Sequence, residues 1–361
     1  MKIKKSELNE LKKKARNSFS KSRKASKRKA TSSTVTDVKD NYSFSKFLKG
    51  VHTGQWDEGS TEQRYFKKAL EQDNEVKGGI LVPTETSSEI IERLVNTAVV
   101  RTMPNVRILD MERDKMEIAR IEDGPTTSWG GELETIDEND EIRFGSISLE
   151  LKKNVIIYQI SRELLMNANT SVDDIVIEEI AKEMAEEEDR VLLEGTGGPQ
   201  PLGIYNNSQV SKLPVNGVVT FDHVTSAMYE VERKNLNING WIGNHRDRQI
   251  LRTIKDSDGR ALLTHPSTAE GVKVDELYGN TAKWTNKVSK TLGSGSNESY
   301  MVGGDWSQLM IGQKPGLRIE TTQEGGDAFA KDSVLIKVVR YIDATLRHPE
   351  GFTMLTGLKT S

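Results

Sequence analysis

The 361 residues contain no cysteine, so disulfides, zinc–thiolate sites and a thiol nucleophile are excluded. No apolar run approaches the length of a membrane span. The N-terminus is basic but no apolar stretch follows it, so it is not a secretory signal, and folding in a cytoplasm is expected. Apolar residues make up 35% and aromatics 6%, which is little core-forming material for a chain this long. Such a balance suits a protein that completes its burial against other subunits, and equally an extended enzyme with long polar loops. The five histidines (His52, His223, His245, His265, His348) are scattered, none with a second histidine at metal-ligand spacing.

Phosphate and nucleophile motifs are missing too. There is no Gly-x-x-x-x-Gly-Lys loop. Gly195-Thr-Gly-Gly follows a helical pattern instead of opening one, the wrong context for a dinucleotide site. Gly293-Ser-Gly-Ser lacks a nucleophile elbow. In Asp256-Ser-Asp-Gly the glycine comes too early for a calcium loop and the bidentate glutamate is absent, so a turn is expected. Glu186-Glu-Glu-Asp189 occupies consecutive helical positions, so its carboxylates radiate around the axis, and a solvated or subunit-facing surface is expected. No enzymatic activity, cofactor or metal is expected.

What the chain does have is segregated charge. Residues 1–30 hold ten lysines and three arginines against Glu7 and Glu10, a balance of +11; the whole chain is −3, so residues 31–361 carry −14. A basic tail on an acidic body signals a partner. Lys12, Lys13, Lys14, Arg16, Arg23 and Arg28 are its candidate contacts, to phosphate or to carboxylate, and a merely solubilising tail remains open. Ile3, Leu8, Leu11 and Ala15 could make a short helix; from Arg16 to Thr36 the composition predicts disorder.

The most organised stretch runs from Glu163 to Asn206. Thr170 and Ser171 each precede an aspartate by three residues (Asp173, Asp174), the capping-box spacing. Val172, Val176, Ile180 and Met184 then recur every fourth residue, with Ile177, Ala181 and Ala185 alongside, predicting a long helix over 171–194 whose core face holds Val176, Ile180 and Met184. Gly195-Thr-Gly-Gly-Pro-Gln-Pro-Leu-Gly-Ile stops it.

Upstream, Tyr42–Asp73 spaces Phe44, Phe47, Leu48, Trp56, Tyr65, Phe66 and Leu70 among charges, as an extended arm needing another surface would. Gly78-Gly-Ile-Leu-Val-Pro83 precedes an amphipathic helix at Glu89–Val95. Val106–Leu109 and Lys115–Ile118 read as strands. Phe144, Ile147, Leu149 and Leu151 alternate and continue through Val155–Ile160, predicting one long strand. Between them lies a polar tip with Trp129, Gly130, Gly131 and Glu132, and an indole there invites burial in a pocket, whether a neighbour's or its own ribbon's. A two-stranded ribbon is marginal alone, so it lies on its own body or reaches a neighbour. Asp222 is placed to cap a helix carrying Val224, Ala227, Met228 and Val231; Gly240–Gly243 reads as a buried strand and Asp247–Ile254 as helix. Short strands follow at Met301–Trp306, Leu309–Ile311 and Leu317–Ile319, then a continuous apolar strand at Val334–Ile342.

Glu163-Leu-Leu, the long helix, the Gly-Thr-Gly-Gly-Pro-Gln-Pro-Leu-Gly-Ile loop, the Gly-Gly-Ile-Leu-Val-Pro phrase, Gly303-Gly-Asp-Trp-Ser307 and the final strand with Arg340 and Asp343 together resemble tailed-phage major capsid proteins of the Hong Kong 97-like fold. The resemblance covers about residues 42–357 and leaves the tail outside. It implies an α+β fold: residues 1–41 a basic tail, 42–85 an N-terminal arm, 86–210 with 326–361 a peripheral domain containing an extended hairpin loop (106–160) and the spine helix, and 211–325 an axial domain. It implies a virion protein, assembled in a host cytoplasm as pentamers and hexamers into an icosahedral shell that encloses double-stranded DNA, with no membrane partner. Scaffolding, portal and decoration proteins would be further partners. Residues 112–143 hold one lysine, Lys115, placed toward the strand, so no motif carries over the lysine–asparagine cross-link that some members form. The tail is shorter than the removable scaffolding segment of others. The alternatives are an encapsulin-like compartment shell and, from a different class, a monomeric nucleic-acid-binding protein using the tail.

Overall fold

The computed structural model describes residues 84–123, 143–161, 170–255, 263–264, 275–322 and 326–360, with Gly50, Ser60, Gln63, Arg64 and Glu163 as isolated positions. The basic tail, most of the arm, the loop tip with Trp129, Gly130, Gly131 and Glu132, and the turn after Lys255 lie outside the described residues.

In chain order the elements are α1 (Thr84–Thr97), β1 (Arg107–Asp110), β2 (Lys115–Asp123), β3 (Arg143–Glu150), β4 (Lys152–Ser161), α2 (Thr170–Glu194) and β5 (Ser211–Gly217). Next come α3 (Phe221–Glu232), β6 (Gly240–Gly243), α4 (His245–Thr253), β7 (Leu263–Thr264), β8 (Asp275–Leu277) and β9 (Asn280–Trp284). The chain ends with β10 (Ser299–Gly304), β11 (Leu309–Gln313), β12 (Arg318–Thr322), β13 (Ser333–Leu346) and β14 (Phe352–Leu358).

Two sheets carry the fold. In the five-stranded one, β13 is the axis: β4 pairs antiparallel along Ser333–Ile342, while β12 and β11 share its other edge and β1 joins β11 in parallel. Strand alternation points Val334, Ile336 and Val338 to one face. There they meet Ile177, Ile180, Ala181, Met184 and Ala185 of α2 and Ile90 and Leu94 of α1. Ile180 and Met184 are thus in the core, and Val176 packs half-buried at its margin.

The seven-stranded sheet runs β5-β14-β10-β6-β9-β8-β7. Here β6 and β10 are buried at every position, as strands covered on both faces must be. A Cβ on Gly303 would lie 2.3 Å from the Trp241 ring, so glycine is required where that indole crosses the strand. α3 packs on this sheet through Val224, Ala227 and Val231. Its cap is Thr220, whose N–H donates to His223 Nδ1 at 3.2 Å; Asp222, expected as the cap, sits inside the first turn instead.

Three expectations change. The single strand expected from Phe144 to Ile160 is two strands broken at Leu151: β3 belongs to a two-stranded ribbon with β2, and β4 to the five-stranded sheet. Leu151 N–H turns away to Asp114 O at 2.9 Å, and a local alternation pattern cannot show that switch of partner. β1, expected beside the ribbon, lies in the body. Sheet membership also crosses the expected boundary between 325 and 326: β11 and β12 pair with β13, whereas β14 lies between β5 and β10.

Candidate assembly interface

The ribbon pairs only with itself, and Arg120 and Ile121 lie across a pocket from Gln209, His348 and Glu350 of the body. Met116 faces Leu149 and Ile118 faces Ile147 on one side, while Ile121 faces Phe144 on the other. Ile121 is 53% exposed and Phe144 69%. These cross-strand pairs hold the ribbon together, and the Ile121–Phe144 pair leaves apolar surface in water. At its root the ribbon is firmly held. Met111 and Leu149 are fully buried against Gly312, where a Cβ would come 2.6 Å from Met111 Sδ. Met111 N–H donates to Gln313 O at 2.8 Å, and Glu150 N–H to Asp343 Oδ2 at 2.7 Å.

Next to that root is a buried ionic cluster that sequence reasoning placed at the surface. Glu188 and Asp189 of α2 are 2% and 3% exposed. Glu188 accepts from Arg101 Nε through one oxygen and from Arg340 Nη1 at 2.6 Å through the other. Gln313 Oε1 accepts from Nη2 of both arginines, at 2.9 and 3.0 Å, and its Nε2 donates to Asp110 Oδ1 at 2.8 Å. Asp189 accepts the backbone N–H groups of Val99 and Val100 at 2.8 and 2.9 Å, capping the 3-10 turn Val100–Thr102. Burial nonetheless raises the Asp189 carboxyl to about 6, with the two backbone hydrogen bonds opposing. Burial likewise pulls Arg340 below the ordinary guanidinium value, against the attraction of Glu188.

Two carboxylates and two guanidiniums, neutral in sum, therefore tie α2, the turn after α1, β11 and β13 at one point. The radiating pattern holds for Glu187, which is exposed, while Glu186 is half-buried and paired with Lys287 at 2.7 Å. It failed for Glu188 and Asp189 because their partners sit at positions 101 and 340. The one available signal was the pair of charges, Arg340 and Asp343, inside an apolar strand.

The end of α2 is fixed by backbone contact. Gly203 N–H donates to Gly195 O at 2.8 Å, and a Cβ on Gly203 would lie 2.4 Å from Gly195 N. Asn206 Nδ2 donates to the carbonyls of Glu194 and Gly195 at 2.7 and 3.1 Å, satisfying the helix's last acceptors. Among the described residues no group of three His, Asp or Glu is arranged to hold a metal, and no described helix is long and apolar enough to cross a membrane.

The sequence profile of the Phage capsid family matches residues 78–357. The chain belongs to the phage capsid family. The major capsid protein of Klebsiella oxytoca phage phiKO2 is 26% identical along a 301-residue alignment that covers 78% of this chain and 68% of that one. That of Halomonas phage phiHAP-1 is 24% identical over 282 residues, 77% of this chain but 44% of its own length. The chain therefore spans about two thirds of the first relative and under half of the second. Among solved structures, the capsid of a native GTA particle superposes with TM-score 0.55 at 16% identity, over 80% of this chain and 94% of that one. An encapsulin complex from Synechococcus elongatus PCC 7942 gives 0.54 at 13% identity, over 82% and 96%. These likenesses show the fold, a mixed α+β arrangement consistent with the Hong Kong 97-like class. Membership gives the chain a structural role, as a phage capsid protein.

Proposed function

We propose that this is the major capsid protein of a tailed double-stranded DNA virus, whose copies form pentamers and hexamers and close into an icosahedral shell around the genome. The observation that carries this reading is the ribbon: rigid at its root, apolar where it meets water, and set on a capsid-family fold. A neighbouring copy is what Ile121, Phe144 and the tip residues Trp129, Gly130, Gly131 and Glu132 would cover. Contacts of this head-to-tail kind are heterologous and close into rings, and many modest contacts sum to a stable shell. The peripheral domain is α2 with the five-stranded sheet, and the axial domain is the seven-stranded sheet with α3 and α4. Residues 42–85 act as an arm between subunits. Lys12, Lys13, Lys14, Arg16, Arg23 and Arg28 of the tail bind an acidic partner. Scaffolding, portal and decoration proteins complete the particle, and assembly occurs in the host cytoplasm.

Negative-stain microscopy of purified protein tests this directly: closed shells or ring-shaped capsomers are expected, and a small monodisperse species would refute it. Deleting residues 128–135 should leave a soluble subunit that no longer forms shells; normal particles from the deletion would sink the role given to the ribbon. The encapsulin superposition supports a second reading, a cellular compartment, and the contents of the particles separate the two: double-stranded DNA for a virus, cargo protein for a compartment.

A further inference from the structure

Between β4 and the first half of α2 lies an open groove of about 430 Å³. Ile156, Tyr158, Ile160, Ile175, Val176 and Ile180 line it, with Glu179 and Glu183 on the helix side. It is unfinished in two respects. Ile175 is 64% exposed at its lip, and the Tyr158 hydroxyl is enclosed with no hydrogen-bond partner among the described residues. The lip is acidic as well, since Glu178, Glu179 and Glu183 are all exposed, with Lys182 3.8 Å from Glu179.

We propose that this groove is the docking site for the N-terminal segment of the chain, residues 1–16. Leu8, Leu11 and Ala15 are spaced as one face of a helix, the form in which an amphipathic segment fills an apolar groove. Around them stand Lys2, Lys4, Lys5, Lys12, Lys13, Lys14 and Arg16 against Glu7 and Glu10. Charge favours this segment over two other candidates within the chain. The loop tip carries Glu132, Glu134, Asp137, Glu138, Asp140 and Glu141 and would be repelled by Glu179 and Glu183; residues 42–73 balance five basic against five acidic side chains. DNA phosphate is repelled as well. The body also begins beside the groove, because α1 packs on α2 in the core cluster that forms the groove's floor. The inference goes beyond shell formation and does not rest on it: it assigns the tail's first residues a protein surface instead of leaving them to nucleic acid.

The absence of cysteine makes the test clean. In the full-length chain, Leu8→Cys with Ile175→Cys should form a disulfide under mild oxidation, in monomer- or dimer-sized species according to which copy supplies the segment. Leu8→Cys with Tyr229→Cys is the control, because Tyr229 is 62% exposed on α3 against the other sheet, and it should stay reduced. Glu179→Lys with Glu183→Lys, both at exposed positions, should lower the yield about threefold at low salt and much less at high salt. Adding Lys12→Glu, Lys13→Glu and Lys14→Glu to that variant should restore it. Equal linkage of Leu8→Cys to both positions, no linkage at all, or linkage of Ile175→Cys to Trp129→Cys instead would overturn the proposal. The readout is taken on subunits, so a failure to form shells leaves it unaffected.

Discussion

The seven-stranded sheet and the ribbon–spine side of this protein treat apolar residues in opposite ways. Around β10 and β14 they are sealed: Trp241, Trp306, Tyr300 and Phe352 are fully buried, and Trp306 Nε1 donates to Gly240 O at 2.9 Å, so even the polar tip of that indole is satisfied. On the other side Ile121, Phe144, Ile157, Ile175 and Phe329 are all more than half exposed, Phe329 at 87%. The core of the first region is closed within one subunit, although Tyr229 at its surface is 62% exposed. The second leaves apolar surface in water, where a further contact has most to gain.

The sharpest way to break this comparison lies at the point where the two regions are tied together. Glu188→Ala would leave Arg101 and Arg340 buried without their counter-ion and should cost about 3–5 kcal/mol. Glu187→Ala, one residue away and exposed, should stay within about 0.5 kcal/mol. Denaturant midpoints of the two variants check this, and similar values would mean the cluster is not the tie described. Inside the sealed sheet, Gly303→Ala forces a Cβ into the Trp241 ring and should cost about 1–3 kcal/mol by overpacking, read as a lower melting temperature.

A smaller effect comes from pH. Because Asp189 is raised to about 6 when folded, above the ordinary 3.8, its protonation favours the folded state. That contribution is complete below about pH 4 and is lost as pH rises through 6, with a slope of at most about 1.4 kcal/mol per pH unit. Asp189→Asn should remove this slope from the stability–pH curve while leaving the contributions of the other carboxylates. The smallest folding effect belongs to the open side. Phe144→Ser and Ile121→Ser should each shift stability by no more than about 1 kcal/mol, since both residues are more than half exposed. Yet they should lower the yield of particles seen by microscopy; unchanged yield would show the ribbon face to be idle.

Much of this arrangement was legible because it is local. The four-residue spacing of Val176, Ile180 and Met184 and the Gly-Pro stop after Glu194 predict α2 to within a residue at each end. Alternation around Phe144–Leu149 marked a strand for the same reason. What could not be read was long-range. Nothing near Leu151 announces that β3 pairs with β2 while β4 pairs with β13, and nothing near position 352 places β14 between β5 and β10. The ionic cluster was missed because it joins residues at 101, 188, 189, 313 and 340.

By itself the sequence determined most of where helices and strands form, the lack of thiol chemistry, and the separation of a basic tail from an acidic body, since each depends on composition or on spacing within a few turns of chain. The tertiary structure alone decided which carboxylates are buried, which apolar residues are left to water, and which strands share a sheet. Those outcomes depend on what two distant segments do to each other's solvent, and no window of the sequence contains both.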